Sequence, residues 1–447
     1  MKFNLFKFFI TSNLVSIKKP NITRINPVKK SLIASLIENI IKFFLSFTIS
    51  IFIAKKLGPT KFGEYNYYLT ILSLIYSFSL FGLDSLLPKL LVINKEIKEK
   101  AEWLFTGILF QAFVIAIEVF ILFLLRNKLS LNSMFFLVAI SYIVKSFENI
   151  KYYNLANRLG YINSKLQMIT IIFSSVLKMI YLYVYSDLNV LLLIILLTEL
   201  LRNFLFITQI RLNFKIVFIK KKFIFILKQG FPLFISALSV NLYMRIDQLM
   251  IKNMLNNTEL GIYSVAVRLT EIWYLIPGMI IPIFFPLIIK YKDNKKEYED
   301  RIIGLISILI LISIVLIIPL ILFSELIVNT LYGLEYLKSG YILKYYSFLI
   351  FITFLGAFRG KYLVLENKQK YLIIFGIFGL GTNIILNYTL IPSYQSLGAT
   401  FASIISQLMT NIFILFIFKE TREIGKMQFK ALFTIFKFKT HLEKLEI

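Results

Sequence analysis

The chain has 447 residues, of which 58% are hydrophobic, and its formal net charge is +26. A mean hydropathy of +0.77 and recurring apolar runs of about 20 residues indicate an integral membrane protein, because each run can cross roughly 30 Å of hydrocarbon. The absence of cysteine excludes disulfides and thiolate chemistry, and the basic residues lie between apolar runs rather than on a soluble face that nucleic acid could use.

Residues 1–30 form a basic segment with seven lysines and arginines. No small-residue cleavage site follows a short apolar core, so a removed signal peptide is not expected. A basic segment of this kind is attracted to anionic lipid, and we predict that it lies on the cytoplasmic face of the membrane.

Twelve apolar runs follow and predict twelve membrane helices. The predicted spans are 31–55, 64–90, 102–125, 131–150, 164–186, 189–211, 232–254, 261–289, 302–328, 340–363, 370–391 and 397–419. The seventh is predicted to open at Gly230-Phe231-Pro232, because proline is tolerated in a first turn, where its missing N–H would have no partner. Every second connection is strongly basic, so the positive-inside bias predicts that these connections and both termini are cytoplasmic.

A motif in the first half of the chain occurs again in the second half. Leu57–Tyr65 and Leu255–Tyr263 share Leu, Thr, Gly and Tyr at the same spacing, and Lys151–Tyr161 matches Lys361–Tyr371 in a similar way. Each half then contains six predicted helices, an even number, so both halves keep the same orientation. The pattern predicts two parallel repeats about an axis along the membrane normal, with a substrate path between them.

We therefore expect an all-α integral membrane protein with about twelve transmembrane helices in two six-helix bundles around a central cavity. The expected parts are a basic cytoplasmic segment (1–30), a first bundle (31–211), a basic cytoplasmic linker (212–222), a second bundle (223–420) and a charged cytoplasmic tail (421–447). The lone His441 lies in that tail and is expected to be solvated.

Charged residues lie well inside several predicted spans, where each would cost ~2.5–3.5 kcal/mol if it faced lipid. They are Glu38, Lys42, Glu118, Lys145, Lys178, Glu199, Arg202, Arg245, Asp247, Arg268 and Glu271. We expect them to face one another or a wet cavity. Glu38–Lys42, Glu199–Arg202 and Arg268–Glu271 are three or four residues apart and can pair on one helix face, and for Glu199–Arg202 a packing role is the favoured interpretation.

Two predicted helices carry continuous polar stripes. On the first, Ser31, Ser35, Glu38, Lys42, Ser46 and Ser50 fall on one face, and on the seventh Asn241, Arg245, Gln248 and Lys252 do the same. Serine alone often mediates helix packing. Cations aligned with hydroxyls and amides over several turns favour a cavity wall.

Asp247 is two residues from Arg245 and points to the opposite side of its helix, so the two cannot pair locally. The turn between helices seven and eight centres near Asn257, which places Asp247 and Arg268 at similar depth. Two alternatives are open: a cross-helix Asp247–Arg268 ion pair, or a proton or cation site at Asp247.

A set of short motifs along the chain is typical of one family. The motifs are Leu57-Gly58-Pro59 with Phe62-Gly63 and Tyr65, Gly230-Phe231-Pro232, Arg245-Ile246-Asp247, Glu259–Tyr263, Asn383, Asn387–Pro392 and Leu397–Ala402. With them the chain resembles the Wzx-type polysaccharide flippases of the multidrug/oligosaccharidyl-lipid/polysaccharide (MOP) superfamily, over nearly its whole length.

The resemblance implies the flipping of undecaprenyl-diphosphate-linked oligosaccharides from the inner to the outer leaflet of the bacterial cytoplasmic membrane, for O-antigen or capsule synthesis. It implies rocking of two bundles driven by a proton or sodium gradient, with no enzymatic step and no further cofactor. The implied partners are the lipid-linked oligosaccharide, membrane lipid, a polysaccharide polymerase and a chain-length regulator.

The expected cavity leans cationic, which suits a diphosphate. The candidate substrate-binding residues are Lys42, Lys145, Lys178, Asn241, Arg245, Gln248 and Arg268, and the candidate ion-coupling residues are Glu38, Asp247 and Glu271. No catalytic or metal-binding residue is predicted, because the chain has no phosphate loop, histidine cluster or cysteine pair.

Two other functions are weighed against the flippase. One is a drug or metabolite exporter of the same fold, a branch that usually relies on acidic cavity residues. The other is a membrane glycosyltransferase or polymerase, but the first outward loop lacks the acidic pair that such transferases usually carry. The lipid II flippase branch usually has fourteen helices, and the twelve predicted here argue against it.

Overall fold

The computed structural model describes residues 27–209 and 218–435, which fold into helices without a β-strand. The first half contains α1 (Pro27–Leu80), α2 (Leu83–Ile93), α3 (Ile97–Leu124), α4 (Ser133–Lys145), α5 (Ile150–Ala156), α6 (Gly160–Val184) and α7 (Leu188–Ile207). The second half contains α8 (Lys220–Tyr243), α9 (Ile246–Met254), α10 (Asn257–Glu271), α11 (Leu275–Ile289), α12 (Lys295–Leu322), α13 (Ser324–Tyr332), α14 (Leu337–Tyr346), α15 (Phe348–Leu365), α16 (Lys370–Tyr394), α17 (Ser396–Asn411) and α18 (Arg422–Thr434). Most of the predicted basic segment and linker, and His441, lie outside these ranges.

Helix α1 is two membrane spans joined at Gly58. A straight helix of its 54 residues would be about 80 Å long, far more than a bilayer needs. The helix is broken at Gly58, whose φ of 69° and ψ of 170° are rarely adopted by residues that have a side chain. Pro59 then begins the next helical turn. We call residues 27–57 the first arm of α1 and residues 59–80 its second arm.

The predicted number of spans is confirmed. Among the described residues, eleven helical stretches are long and apolar enough to cross a membrane, and the first, Ile33–Ile93, contains the break at Gly58 and so holds two spans. The protein is a multi-pass membrane protein.

The helix bounds repeat in the second half. Helices α3 and α12 have the same length and are displaced by 198 residues, and α6 and α16 have the same length and are displaced by 210. The second half is therefore twelve residues longer between α12 and α15, in the segment that contains α13 and α14.

The predicted opening of the seventh span at Gly230-Phe231-Pro232 is wrong, because α8 begins ten residues earlier and holds Pro232 in its interior. The glycine serves a helix contact instead. A Cβ on Gly230 would lie only 2.3 Å from the Phe81 carbonyl oxygen, so the two backbones approach more closely than a side chain would allow. The Phe81 ring stacks on the Phe234 ring, with 4.5 Å between the ring centroids. This contact joins the α1–α2 junction to α8.

The first part of the predicted cytoplasmic tail is α18, which packs along α12. Lys295 and Glu423, near the starts of the two helices, approach to 3.7 Å. Further along both helices, Ser307 Oγ donates to the Ala431 carbonyl at 3.1 Å. Helix α18 therefore runs parallel to α12 and into the bundle, because apolar residues alternate with its charges at helical spacing.

The two copies of the repeated motif contact each other where the halves meet. A Cβ on Gly63 would lie 1.7 Å from the Asn257 carbonyl oxygen, and one on Gly261 would lie 2.0 Å from that of Pro59. These pairs are equivalent under the displacement of 198 residues, so the second arm of α1 and α10 meet about a pseudo-two-fold axis. We call this end of the bundle the motif end.

Thr60 and Thr258, also equivalent, share a hydrogen bond of 2.8 Å between their hydroxyls at the motif end. The longer second half adds contacts there. Tyr336 Oη donates to the Ala54 carbonyl at 2.9 Å, and Lys55 Nζ donates to that of Thr330 at 3.4 Å. The two halves are thus held closed against each other at the motif end.

Candidate substrate cavity

Three adjoining chambers lie between the halves, and each is lined by Arg268 of α10. The α6–α7 chamber, about 260 Å³, lies among α1, α4, α6, α7 and α10 and includes Ser50 and Lys178. The α9–α10 chamber, about 190 Å³, lies against the second arm of α1 and includes Gln248. The α1–α11 chamber, about 440 Å³, lies between the first arm of α1 and α10–α11 and includes Lys42.

The chambers differ in depth. Of the 16 residues that line the α6–α7 chamber, 9 are buried, whereas none that lines the α1–α11 chamber is buried. Lys42 and Leu275 border the latter and are exposed, and the apolar rings of Phe43 and Phe47 lie beside them. The α1–α11 chamber is therefore the mouth of the cavity, and the α6–α7 chamber is its inner end.

The cavity carries an excess of positive charge. Its lining includes five cations, Lys42, Lys178, Arg202, Arg245 and Arg268, and two carboxylates, Glu199 and Glu271. Each carboxylate already has a cation: Glu271 lies 3.3 Å from Arg245 and Glu199 lies 3.2 Å from Arg202. Within residues 27–209 and 218–435, Lys42, Lys178 and Arg268 have no ion-pair partner within 4 Å, so the cavity is prepared for an anion.

Two of the three predicted helix-face pairs are not formed. Glu271 binds Arg245 rather than Arg268, because the chain breaks between α8 and α9 at Arg245 (φ −130°) and brings its guanidinium to α10. Among the described residues Glu38 and Lys42 make no ion pair, and Glu38 is buried away from the three chambers. The missing pairs leave Lys42 and Arg268 available to a ligand.

The predicted Glu199–Arg202 pair is formed, but it also borders the α6–α7 chamber. Lys145 lies behind it, 3.4 Å from Glu199, with its ammonium 4.2 Å from the centre of the Tyr142 ring. Lys145 is therefore buried in the first half and does not reach the cavity. Arg202, which the sequence analysis took as packing, does reach it.

Of the two alternatives left open for Asp247, the ion pair with Arg268 is not formed between these two described residues. Asp247 is 3% exposed and accepts hydrogen bonds from the Tyr263 hydroxyl and, at 2.7 Å, from the backbone N–H of Gln248. Ser403 Oγ lies 3.5 Å away. The side chain faces the second half because it leaves α9 on the side opposite Arg245, toward α16 and α17.

Oxygen-rich side chains continue from Asp247 into the second half. Asn383 donates to Ser406 at 3.1 Å, and Asn387 donates to Asn383 at 2.8 Å. The side-chain oxygen Oδ1 of Asn387 is buried without a hydrogen-bond partner among the described residues. Carboxylate, amide and hydroxyl oxygens are the ligands that hard cations prefer, so this cluster suits a proton or a small cation.

Of the other predicted residues, Gln248 joins the two halves, because its side-chain oxygen Oε1 accepts a hydrogen bond from Thr70 Oγ1 at 2.7 Å. Asn241 donates to the Ala237 carbonyl of its own helix and lines none of the three chambers. The structure thus brings six of the predicted residues into one cavity: Lys42, Lys178, Arg245, Gln248, Arg268 and Glu271.

Sequence reasoning missed the hydroxyl groups of α6 and α7. Ser174, Ser175 and Lys178 share one face of α6, and Thr198 and Arg202 share one face of α7. The signal was present as helical spacing of polar residues. It was weak because each set has only one cation.

Comparison with known proteins agrees with this architecture. Residues 52–341 match the family model described as "Polysaccharide biosynthesis protein". The chain is 26% identical over 401 residues to the capsular polysaccharide biosynthesis protein CapF of Staphylococcus aureus, which covers 86% of this chain and 97% of that protein.

Solved structures show the same fold. The lipid II flippase MurJ in an inward closed conformation has a TM-score of 0.67 at 18% identity and covers 91% of each chain. An inward-facing multidrug resistance MATE family transporter of the MOP superfamily has a TM-score of 0.61 at 13% identity, over 89% of this chain and 99% of that one. The predicted fold, two repeats of the MOP type, is confirmed.

Proposed function

We propose that this chain, which belongs to the polysaccharide biosynthesis protein family, moves lipid-linked oligosaccharides across a membrane. In the full form of the proposal, the substrate is an undecaprenyl-diphosphate-linked repeat unit and the direction is from the inner to the outer leaflet of the bacterial cytoplasmic membrane. The protein acts as a transporter and not as an enzyme. The observation that carries the proposal is the cationic cavity between the two halves.

A diphosphate explains the charges of the cavity. Moving it through hydrocarbon without partners is prohibitive, and fixed cations offset that cost. Lys42, Arg245 and Arg268 meet in the α1–α11 chamber, beside the apolar rings of Phe43 and Phe47. The mouth of the cavity thus suits the junction of an amphiphile, with the diphosphate inside and the prenyl chain left in the bilayer.

Transport then requires the halves to separate at the motif end. That end is closed by backbone contact between Gly63 and Asn257 and between Gly261 and Pro59, so the substrate enters elsewhere and leaves when this contact opens. The oxygen cluster at Asp247 is proposed to bind the coupling proton or sodium ion. It lies at the α9 junction with α16 and α17, where binding can bias the movement of the second half.

The test is glycan export by cells that depend on this chain, with membrane-inserted protein measured in parallel. Lys42→Gln and Arg268→Gln should each lower export about tenfold or more, since a charge-assisted hydrogen bond contributes about 1.5–3 kcal/mol. Lys42→Arg should retain more export than Lys42→Gln, because the charge is kept. Lys89→Gln, on the exposed side of α2, is the matched control and should export normally.

Normal export by both Gln variants at normal protein level would refute the proposal. Sensitivity of the Gln variants to cationic drugs, with the surface glycan intact, would favour the exporter alternative. Glycan transfer catalysed by the purified protein would favour the glycosyltransferase alternative.

A further inference from the structure

The α6–α7 chamber is lined with hydroxyl groups that could form more hydrogen bonds than they form within the protein. They include those of Ser46, Ser50, Ser174, Ser175 and Thr198. The Ser50 hydroxyl is buried and has no hydrogen-bond partner among the described residues. A buried hydroxyl without a hydrogen-bond partner is unfavourable, so a ligand that supplies a partner for Ser50 would bind favourably here.

The order of groups in the proposed substrate fixes which part reaches this chamber. The prenyl chain must stay in the bilayer, and the diphosphate follows it into the α1–α11 chamber. Ser46 and Arg268 line both chambers, so the two are continuous. The sugar bonded to the diphosphate is then the group that enters the α6–α7 chamber.

The size and burial of the chamber fit one sugar. Its volume of about 260 Å³ lies just below the roughly 300–1,000 Å³ of small-molecule pockets, so it holds a single ring rather than an oligosaccharide. The remaining sugars of a repeat unit would extend into the adjoining space between the halves.

The charge of the chamber limits the kind of sugar. Arg202 is compensated by Glu199 at 3.2 Å and by Glu148 at 4.0 Å. Arg268 is shared with the mouth of the cavity, where the diphosphate binds. Lys178 remains in the α6–α7 chamber without an ion-pair partner among the described residues.

We propose that the α6–α7 chamber binds the sugar next to the diphosphate and selects a sugar with a carboxylate, which pairs with Lys178. The proposal rests on the proposed function and adds the chemical class of the first sugar. Lys178 and Ser50 are its specificity-determining residues. Lys178 pairs with the carboxylate, and Ser50 hydrogen-bonds a ring hydroxyl.

The experiment measures binding of synthetic ligands to the purified full chain in lipid nanodiscs. The ligands are undecaprenyl diphosphate alone and the same lipid carrying either a neutral hexose or the corresponding hexuronic acid. The parent protein should bind the hexuronic form about tenfold or more tightly than the neutral form, as expected for one charge-assisted hydrogen bond. Lys178→Gln should abolish that preference and leave binding of undecaprenyl diphosphate unchanged.

Two further variants keep the test decisive. Lys165→Gln removes an exposed cation from the same helix and should keep the preference. Ser50→Ala should weaken both sugar ligands without lowering the melting temperature of the free protein, because it removes a hydroxyl that has no partner there.

The outcomes separate this inference from the proposed function. If the parent binds undecaprenyl diphosphate but binds both sugars equally, the carboxylate preference is wrong and the flippase proposal stands. If Lys178→Gln loses undecaprenyl diphosphate itself, Lys178 binds phosphate and the assignment of the chamber is overturned. If none of the three ligands binds, the proposed function fails.

Discussion

One methyl group at the contact between the motif copies should shift the protein out of its closed state. In Gly63→Ala the new Cβ would lie 1.7 Å from the Asn257 carbonyl oxygen, whereas ordinary van der Waals contact begins at 3.4 Å. The helices must move apart at this point, and forcing extra atoms into a packed contact costs about 1–3 kcal/mol. The closed state should therefore lose about 5- to 150-fold in its equilibrium against open states.

The absence of cysteine makes the closed state measurable by disulfide formation. Thr60 and Thr258 have their hydroxyls 2.8 Å apart, so replacing both with cysteine should give rapid oxidation to a disulfide in membranes. Export should stop on oxidation and return on reduction. Gly63→Ala in this background should slow cross-linking, whereas Gly381→Ala should not, because a Cβ there meets nothing within 4 Å.

Cross-linking of Gly63→Ala at the parent rate, with normal protein level, would show that the motif copies are not tightly packed in the membrane. Export that continues in fully cross-linked protein would show that this contact never opens during transport. Either result would remove the motif end from the mechanism.

Three further predictions concern orientation, coupling and the break in α1. A reporter active only outside the cytoplasm should be silent after Lys295 and active after Ser393, and the reverse pattern would overturn the predicted orientation. Asp247→Asn should insert normally but lose export, because an amide can still accept from Tyr263 but cannot carry a charge; a loss of folded protein instead would indicate a structural role. Gly58→Ala should lower the melting temperature, because φ 69° with ψ 170° lies in a region essentially restricted to glycine and costs about 1–3 kcal/mol for a residue with a side chain, and an unchanged melting temperature would contradict the strain argument.

The sequence predicted the features that depend on hydrophobic pattern. Twelve spans and two repeats follow from the length of apolar runs and from the repeated motif, and the structure has them. The two predicted polar stripes follow from helical spacing, and the structure brings part of each to the cavity: Lys42, Ser46 and Ser50 of the first, and Arg245 and Gln248 of the second. These features are local to one helix or common to both halves. Predictions of these features do not depend on the exact helix bounds and stay correct when the bounds are wrong by several residues.

The ion-pair and hydrogen-bond partners of the buried charges could not be predicted, because they depend on how the helices pack against one another. Glu271 pairs with Arg245 only since the chain breaks between α8 and α9, and no pattern marked that break. Asp247 faces Tyr263 because its side chain leaves α9 on the side opposite Arg245, toward the rest of the second half. In the same way, the repeated motif predicted similarity between Gly63 and Gly261 but not that the two copies would touch.

The twelve additional residues of the second half also limit how far the two halves could be exchanged for each other. A pair of identical first halves would bring two Gly63 motifs together in the same way as Gly63 and Gly261 meet here. It would lack the Thr330 carbonyl that binds Lys55 and the Tyr336 hydroxyl that binds Ala54. The two halves of the chain therefore make different contacts at the motif end. The first half supplies most of the inner chamber, including Lys178 and Arg202, whereas the second half supplies Arg268 to it and the additional contacts of Thr330 and Tyr336 at the motif end.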